Sequence, residues 1–407
     1  MIARLKRRFA PSDRCGTGMA DAPFPARRRK RFSLSGTIGF ERRIATDQQR
    51  IANQVLALMP PDEFRALLLC GAYGRGEGVR LRGHDGKEIA DCYEYAVILG
   101  RSDQPLRTAV ANTLNQLASA LTATTGVAIR FRLFREEQLH LKPLSFPQAD
   151  LRWSGRLLRG DARVIERMTD QPFEHLAPGA WLWQLVEEGQ GLLRNQEWLR
   201  LGTHLDGDNQ QQFFRHLIAS VLICGDLRLA LVGRYHPAHA EKLARLEALD
   251  QRHHRKFMTL YELAHRAYGD TDIRAFSAGH PLDWQARVAW LWLDALRRFE
   301  HWRSGRVLPS WESYCQPHLG KGQGWGTSLA ERLSANLAAF GPQGLKAHPL
   351  WSLRHPRERL IGAMPLLLGG PQTAPEPAVA AALSLPAGTS WPRTVETFLH
   401  SYEHCRD

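Results

Sequence analysis

A glycine-rich turn followed by two acidic residues is the part of this sequence whose residue types and spacing could carry out chemistry. The turn runs from Gly71 to Gly78 (GAYGRGEG) and directly follows a short apolar run. Glycines let the backbone come close to a ligand, and the N–H groups of such a turn can hold an anion. Asp91 and Glu94 begin the next apolar run, where their carboxylates could hold Mg²⁺ against a triphosphate.

The predicted roles divide between the turn and the acids. The candidate residues for binding phosphate are Gly71, Ala72, Tyr73, Gly74, Arg75, Gly76 and Glu77. Arg75 could neutralise phosphate charge, while Glu94 and Asp91 are the candidate metal ligands and catalytic residues. The turn is not a Walker loop, since no Gly-Lys-Ser/Thr follows it, nor a dinucleotide fingerprint. The alternative interpretation is a tight turn next to a solvated acid.

The segments around the turn predict a small sheet with flanking helices. Continuous apolar runs indicate buried strands, strict alternation indicates a half-buried strand, and a 3.6-residue period indicates a helix. The predicted elements are a helix over 46–58, strands over 65–70 and 93–99, a helix over 105–122 and a strand over 127–134.

Helical periodicity dominates beyond Pro147, in segments separated by glycine and proline. The predicted fold class is therefore α+β, with a small mixed sheet and its helices followed by a larger all-helical C-terminal region. The predicted domains are a disordered basic leader (1–40), an α/β domain (41–160) and a helical domain (161–407).

The turn and the strand after it resemble the nucleotidyltransferase superfamily, which has the polymerase-beta-like fold. The superfamily pattern is an apolar strand, Gly-Gly or Gly-Ser, a spacer, Asp-x-Asp/Glu at the next strand and a third acid on a later strand. More narrowly, GAYGRGEG followed by DCYEY is similar to a bacterial group with the motif GGYGRGEG and then Asn-Asp-Tyr-Asp. The resemblance is strong over 66–99 and extends weakly over about 60–240. It implies an enzyme that uses a nucleoside triphosphate and Mg²⁺ on an unidentified acceptor.

Three positions depart from this pattern. Ala72 stands where Gly or Ser is expected, and Cys92 stands where the first metal-binding acid is expected. The third strand offers Arg130 and Arg132 in place of an acid. Because side chains alternate along a strand, Cys92 and Glu94 share a face, and a thiol is a poor ligand for a hard cation such as Mg²⁺.

These observations leave two hypotheses of different class. The first is an active nucleotidyltransferase that binds a nucleoside triphosphate and Mg²⁺. The second is a catalytically degenerate relative, a pseudoenzyme, that binds a nucleotide or a protein partner in a regulatory role. The retained RGEG turn favours a ligand, while the departures at Ala72, Cys92, Arg130 and Arg132 favour the second hypothesis.

The charge of +13 is concentrated at the N-terminus, since residues 1–36 hold ten Lys and Arg against Asp13 and Asp21. We favour a disordered leader, or an upstream start codon ahead of Met19, over a third hypothesis in which this segment binds nucleic acid. Scattered cysteines without a CxxC pair predict a cytoplasmic protein with reduced thiols. No membrane association is expected, because the best apolar run is interrupted by Asp226 and Arg228.

The sequence also contains three weaker signals. Arg234 and His239 have a spacing similar to that of HEPN ribonucleases, although Pro237 interrupts it. The pair His253-His254 is expected on a solvated helix face. The glycine-rich stretch 320–327 is expected to be an exposed loop rather than an anion site.

Overall fold

The computed structural model describes most of the chain between residues 31 and 405. The described residues are 31–82, 87–101, 103–140, 145–168, 173, 176–249, 255–270, 278–317, 328–346, 349–369 and 377–405. Residues 1–30 of the predicted leader, the pair His253-His254 and the predicted loop 320–327 lie outside them. Within the described residues the chain is α+β, as predicted, with strands before residue 161 and only helices after it.

Strands occur only in the first part of the described chain. They are β1 (Phe64–Cys70), β2 (Arg80–Arg82), β3 (Glu88–Ala90), β4 (Cys92–Leu99), β5 (Ala128–Arg135) and β6 (Arg156–Gly160). In the described residues, four strands form a mixed sheet in the order β5–β4–β1–β6, and β2 pairs with β3 separately. Strand β1 runs antiparallel to β4 and β6, whereas β4 and β5 are parallel.

Helices flank the sheet and make up most of the described chain outside the strands. Those of the first part are α1 (Ile38–Leu58), α2 (Gly71–Arg75), α3 (Gln104–Thr125), α4 (Phe146–Ser154) and α5 (Arg163–Glu166). Those that follow are α6 (Pro178–Gly189), α7 (Gly191–Arg200), α8 (Gly207–Leu231), α9 (His239–Glu247), α10 (Arg255–Asp270), α11 (Pro281–Ser304), α12 (Trp311–Tyr314), α13 (Leu329–Phe340), α14 (Gln343–Lys346), α15 (Pro349–Ser352), α16 (Pro356–Leu368), α17 (Pro377–Ala382) and α18 (Trp391–Cys405). None of the described helices combines the length and the apolar character needed to cross a membrane.

Alternation along the strands gives the sheet two different faces. On one face, Leu67, Tyr93 and Tyr95 pack with apolar residues of α1 and α3. On the other face, Ala96 and Ile98 pack against α4 and α5 through residues such as Leu151 and Val164. Because Glu94 is two residues before Ala96, its side chain points to the α4 side of the sheet.

Three predicted strands and the helix between two of them are confirmed, each within three residues of its predicted ends. The first helix begins earlier than predicted, at Ile38, because the Thr37 hydroxyl accepts a hydrogen bond from Phe40 N and caps it. Residues 31–40 also differ from the predicted disordered leader. Ser33 forms a β-bridge with Gly78, and Phe40 is buried in the core.

Helices α6 and α7 follow one another directly, separated by the single residue Gln190. Glycines on both sides of this break allow close packing, since a Cβ atom on Gly189 would collide with the indole of Trp292, and one on Gly191 with the ring of His216. Helix α8 packs against both of these helices and against α10 and α11. It therefore forms the centre of the helical region, whose core is continuous and apolar.

Candidate functional site

Gly71 and Glu94 are brought together by the pairing of β1 with β4. Cys70, the last residue of β1, lies opposite Glu94 in the antiparallel register. The chain then turns at Gly71, whose φ of +61° is in the left-handed region that favours glycine. A Cβ atom on residue 71 would collide with the Glu94 Oε2 atom. The acid on the second strand thus lies directly against the first residue of the turn.

Two arginines of β5 approach the same carboxylate. Arg130 is the register partner of Glu94 in the parallel β4–β5 pair. An Nη1 atom of Arg130 lies 3.9 Å from Glu94 Oε1, and an Nη1 atom of Arg132 lies 3.8 Å from it. Both guanidinium groups therefore lie within ion-pair distance of the Glu94 carboxylate. Arg132 also reaches Glu187 Oε1 of α6, at 3.9 Å.

The donor set around Glu94 fits Mg²⁺ poorly. Mg²⁺ requires several oxygen ligands in an octahedral arrangement, whereas two guanidinium groups and a neighbouring thiol surround this carboxylate. Burial raises the pKa of the Cys70 thiol far above its ordinary value, so this group is neutral. In the part of the chain that the structure describes, no group of His, Cys, Asp or Glu side chains is arranged to hold a metal ion.

Arg75, predicted to neutralise phosphate, has protein partners in the structure. Its Nη1 atom lies 2.8 Å and 2.6 Å from the two carboxylate oxygens of Asp150 in α4, and its Nε atom donates to Glu77 Oε2 at 3.0 Å. The second oxygen of Glu77 accepts a hydrogen bond from the backbone N–H of His239, at 3.0 Å. The RGE part of the turn therefore joins the sheet to α4 and to the first residue of α9.

The other turn residues have packing roles. Tyr73 is buried, donates its hydroxyl proton to the Val79 carbonyl and accepts from Asp91 N at 3.2 Å. A Cβ atom on Gly74 would collide with the carbonyl oxygen of Ser154 in α4. Gly76 has φ +79° and ends α2 in the left-handed conformation. Ala72, the second residue of α2, contributes the carbonyl that accepts the Glu77 N–H at 2.8 Å.

Asp91, the second predicted metal ligand, faces a helix rather than Glu94. Its Oδ2 atom lies 3.2 Å from an Nη2 atom of Arg215 in α8. Burial raises the pKa of the Asp91 carboxyl, and the Arg215 charge opposes that increase. Asp91 precedes β4 and Glu94 lies within it. The partner of Asp91 is Arg215, whereas arginines of β5 approach Glu94.

The helical region adds acids that sequence reasoning did not assign to the site. Burial is the main cause that raises the pKa of the Glu188 carboxyl to about 7. The nearby carboxylates of Glu187, Asp226 and Glu94 act in the same direction, and the Lys242 ammonium opposes them. Glu187 and Glu188 lie in the segment that weakly resembles nucleotidyltransferases. The periodicity of that segment does not indicate that α6 turns these acids toward β4.

His239, the histidine with HEPN-like spacing, is held in a structural pair. Its ring stacks on that of His265 with a centroid distance of 3.7 Å. Each ring nitrogen Nε2 contacts the backbone carbonyl of the other residue, at 3.1 Å and 2.9 Å. Burial lowers the pKa of His239 to about 3, and the neighbouring His265 adds to this effect. These contacts and the lowered pKa indicate that His239 is a neutral side chain that packs α9 against α10.

Comparison with known proteins adds no relative. No protein-family model matches this chain, and neither the curated proteins nor the solved structures contain a significant match.

Proposed function

We propose that this chain is a catalytically degenerate relative of the nucleotidyltransferases that binds a nucleotide through its phosphates without a metal ion. The observation that carries the proposal is the approach of the Arg130 and Arg132 guanidinium groups to Glu94, beside Gly71. Arginine is always charged and presents a planar set of donors that matches phosphate. The two side chains supply positive charge where a metal-using relative needs a cation.

The order of the elements supports this proposal. An apolar strand, β1, leads into the glycine turn, and its antiparallel neighbour β4 carries the acid. The parallel neighbour β5 carries the third position of the superfamily pattern, here an arginine. Because one fold can host many functions, the functional part of the proposal depends on the arginines and not on the sheet.

Glu94 is then a positioning residue rather than a metal ligand. Its carboxylate lies within 4 Å of both guanidinium groups and can orient them on one face of the sheet. A phosphate that binds between them would replace this carboxylate as their partner. Removing the Glu94 charge therefore leaves phosphate binding intact or strengthens it, whereas it would destroy a site in which Glu94 holds Mg²⁺.

The test is calorimetric titration with ATP, in EDTA and again in Mg²⁺. In EDTA, we expect Arg130→Ala/Arg132→Ala to weaken ATP binding at least about 10-fold, because two charge-assisted contacts are lost. Glu94→Gln should bind ATP at least as tightly as the wild type. The matched control is Arg135→Ala, which removes an arginine of the same strand that pairs with Glu137 at 2.5 Å.

Two results would contradict the proposal. Absence of ATP binding by the wild type in EDTA removes the metal-free site. Mg²⁺-dependent release of pyrophosphate that disappears in Glu94→Gln would instead identify an active nucleotidyltransferase, the first of the two hypotheses drawn from the sequence.

A further inference from the structure

A cavity of about 300 Å³ lies beside Arg132, between β5, α3 and α6. Its volume is at the lower end of the range for small-molecule sites, about 300–1,000 Å³. Arg132 lines this cavity and also approaches Glu94, so the cavity adjoins the phosphate site proposed above. A ligand with phosphates at Arg132 could therefore extend its remaining part into this space.

The cavity wall is aromatic on several sides. Phe131 and Phe134 line it from β5, Phe146 from α4 and Trp183 from α6. These rings are held in place by the core. Phe146 packs edge-on against Trp181 with a centroid distance of 4.8 Å, and Trp183 stacks on Tyr402 at 5.4 Å. A flat ring entering the cavity would meet aromatic surfaces that are already ordered, which limits the entropy lost on binding.

Polar and charged side chains lie on the same walls. Asn115 of α3 and Gln184 and Glu187 of α6 supply amide and carboxylate groups that can form hydrogen bonds with a heterocycle or with sugar hydroxyls. Arg357 of α16 adds a positive charge, and its guanidinium lies 4.8 Å from the centroid of the Trp183 ring. An apolar, aromatic space with a small number of polar groups is typical of a site for a planar polar ring.

We propose that this cavity binds the base and sugar of the nucleotide whose phosphates contact Arg130 and Arg132. The inference rests on the proposed function, because it assigns the nucleoside part of the same ligand. Stacking of a base on aromatic side chains is tolerant of base identity, so the contribution of the cavity is measured against a ligand that has phosphates alone.

The experiment compares inorganic tripolyphosphate with ATP, GTP, CTP and UTP, by calorimetry in EDTA. With the wild type, we expect at least one nucleotide to bind about 10-fold or more tightly than tripolyphosphate. Asn115→Trp places a large ring in the cavity from an exposed position on α3, and Ala111→Trp does so from a second position on the same wall. Both should reduce nucleotide affinity to that of tripolyphosphate and leave tripolyphosphate binding unchanged.

The matched control is Ala120→Trp, on an exposed part of the same helix that does not line the cavity. It should bind both kinds of ligand as the wild type does. If tripolyphosphate and all four nucleotides bind the wild type equally, or if neither blocking variant selectively weakens nucleotide binding, the cavity assignment is overturned and the phosphate site stands. If nothing binds, the proposed function and this inference fail together.

Discussion

Gly71 and Glu94 share one small space, because the Glu94 Oε2 atom lies where a side chain on residue 71 would begin. Gly71→Ala should therefore destabilise the protein by more than the strain of an alanine in the left-handed backbone conformation. The strain of a non-glycine residue at this φ is about 1–2 kcal/mol, and the displaced carboxylate adds to it. We expect a loss of about 2–3 kcal/mol, measured by urea denaturation.

Gly126→Ala is the matched control for this substitution. Gly126 has φ +71°, and a Cβ atom there meets no described atom within 4 Å. The stability lost in Gly126→Ala should therefore come from backbone strain alone. In a Glu94→Ala background, the cost of Gly71→Ala should fall to that of Gly126→Ala. If Gly71→Ala and Gly126→Ala lose the same stability while Glu94 is present, the Glu94 carboxylate does not occupy the space beside residue 71.

Arg75 should be a major determinant of stability because its two acidic partners are largely buried. Its removal leaves the carboxylates of Asp150 and Glu77 without their cation, and an unpaired buried charge costs about 3–5 kcal/mol. We expect a loss in that range for Arg75→Ala, measured by denaturation. The double variant Arg75→Ala/Asp150→Ala should recover part of it.

The control for Arg75 is an exposed ion pair with the same N–O distance. Arg393 and Glu396 are separated by 2.6 Å, as are Arg75 and Asp150, but both side chains are about two-thirds exposed. Arg393→Ala should cost less than about 1 kcal/mol. A similar cost for the two substitutions would mean that burial does not determine the strength of the Arg75 pair.

Glu188 should make the protein less stable as the pH rises. Its pKa in the folded protein, about 7, is above the ordinary value of 4.5, so the folded state binds the proton more tightly than the unfolded state does. The stabilisation is present below about pH 4.5 and is lost as the pH rises to 7 and above. Glu188→Gln should raise stability at pH 8 by up to about 3 kcal/mol and have little effect at pH 4.5.

The measurement is the free energy of unfolding of wild type and Glu188→Gln between pH 4.5 and 8. Glu396→Gln, at an exposed position, is the control and should show no such trend. If the Glu188→Gln difference is independent of pH, the carboxyl has an ordinary pKa in the folded protein.

One added acid should not be enough to create a metal site beside Glu94. Cys92→Asp places a second carboxylate on the face of Glu94, but Arg130 and Arg132 remain beside it. We expect Mn²⁺ binding, measured by electron paramagnetic resonance, to appear only when Cys92→Asp is combined with Arg130→Gln and Arg132→Gln. Tight Mn²⁺ binding by Cys92→Asp alone would show that the arginines do not compete with a metal ion.

The sheet could be predicted largely because its central strands are buried on both sides. Continuous or alternating apolar residues mark β1, β4 and β5 without reference to the rest of the chain. Strand β6 was not predicted, because its sequence, RLLRG, is short and has an arginine on each side of its leucines. It pairs with β1 only because the chain returns through α4.

The site could be predicted only where it depends on neighbours in sequence or on strand register. The contact of Glu94 with Arg130 follows from alternation and parallel pairing. The partners of Arg75 do not, since Asp150 is 75 residues away in the sequence, and the Glu77–His239 contact spans 162 residues. Local patterns carry no information about such contacts. The sequence therefore predicts the turn residues as phosphate ligands without indicating the ion pairs and hydrogen bonds that Arg75 and Glu77 form within the protein.

The strand that carries Arg130 and Arg132 is also an outer strand of the sheet, as is β6 with Arg156 and Arg159. An outer strand offers unpaired peptide groups to other molecules, and charged side chains along it discourage edge-to-edge aggregation. The same guanidinium groups that we assign to phosphate thus help to keep one copy of the protein from adding its sheet to another. Replacing them to create a metal site would remove that protection, and a lower solubility limit should accompany any cation binding that the substitutions produce.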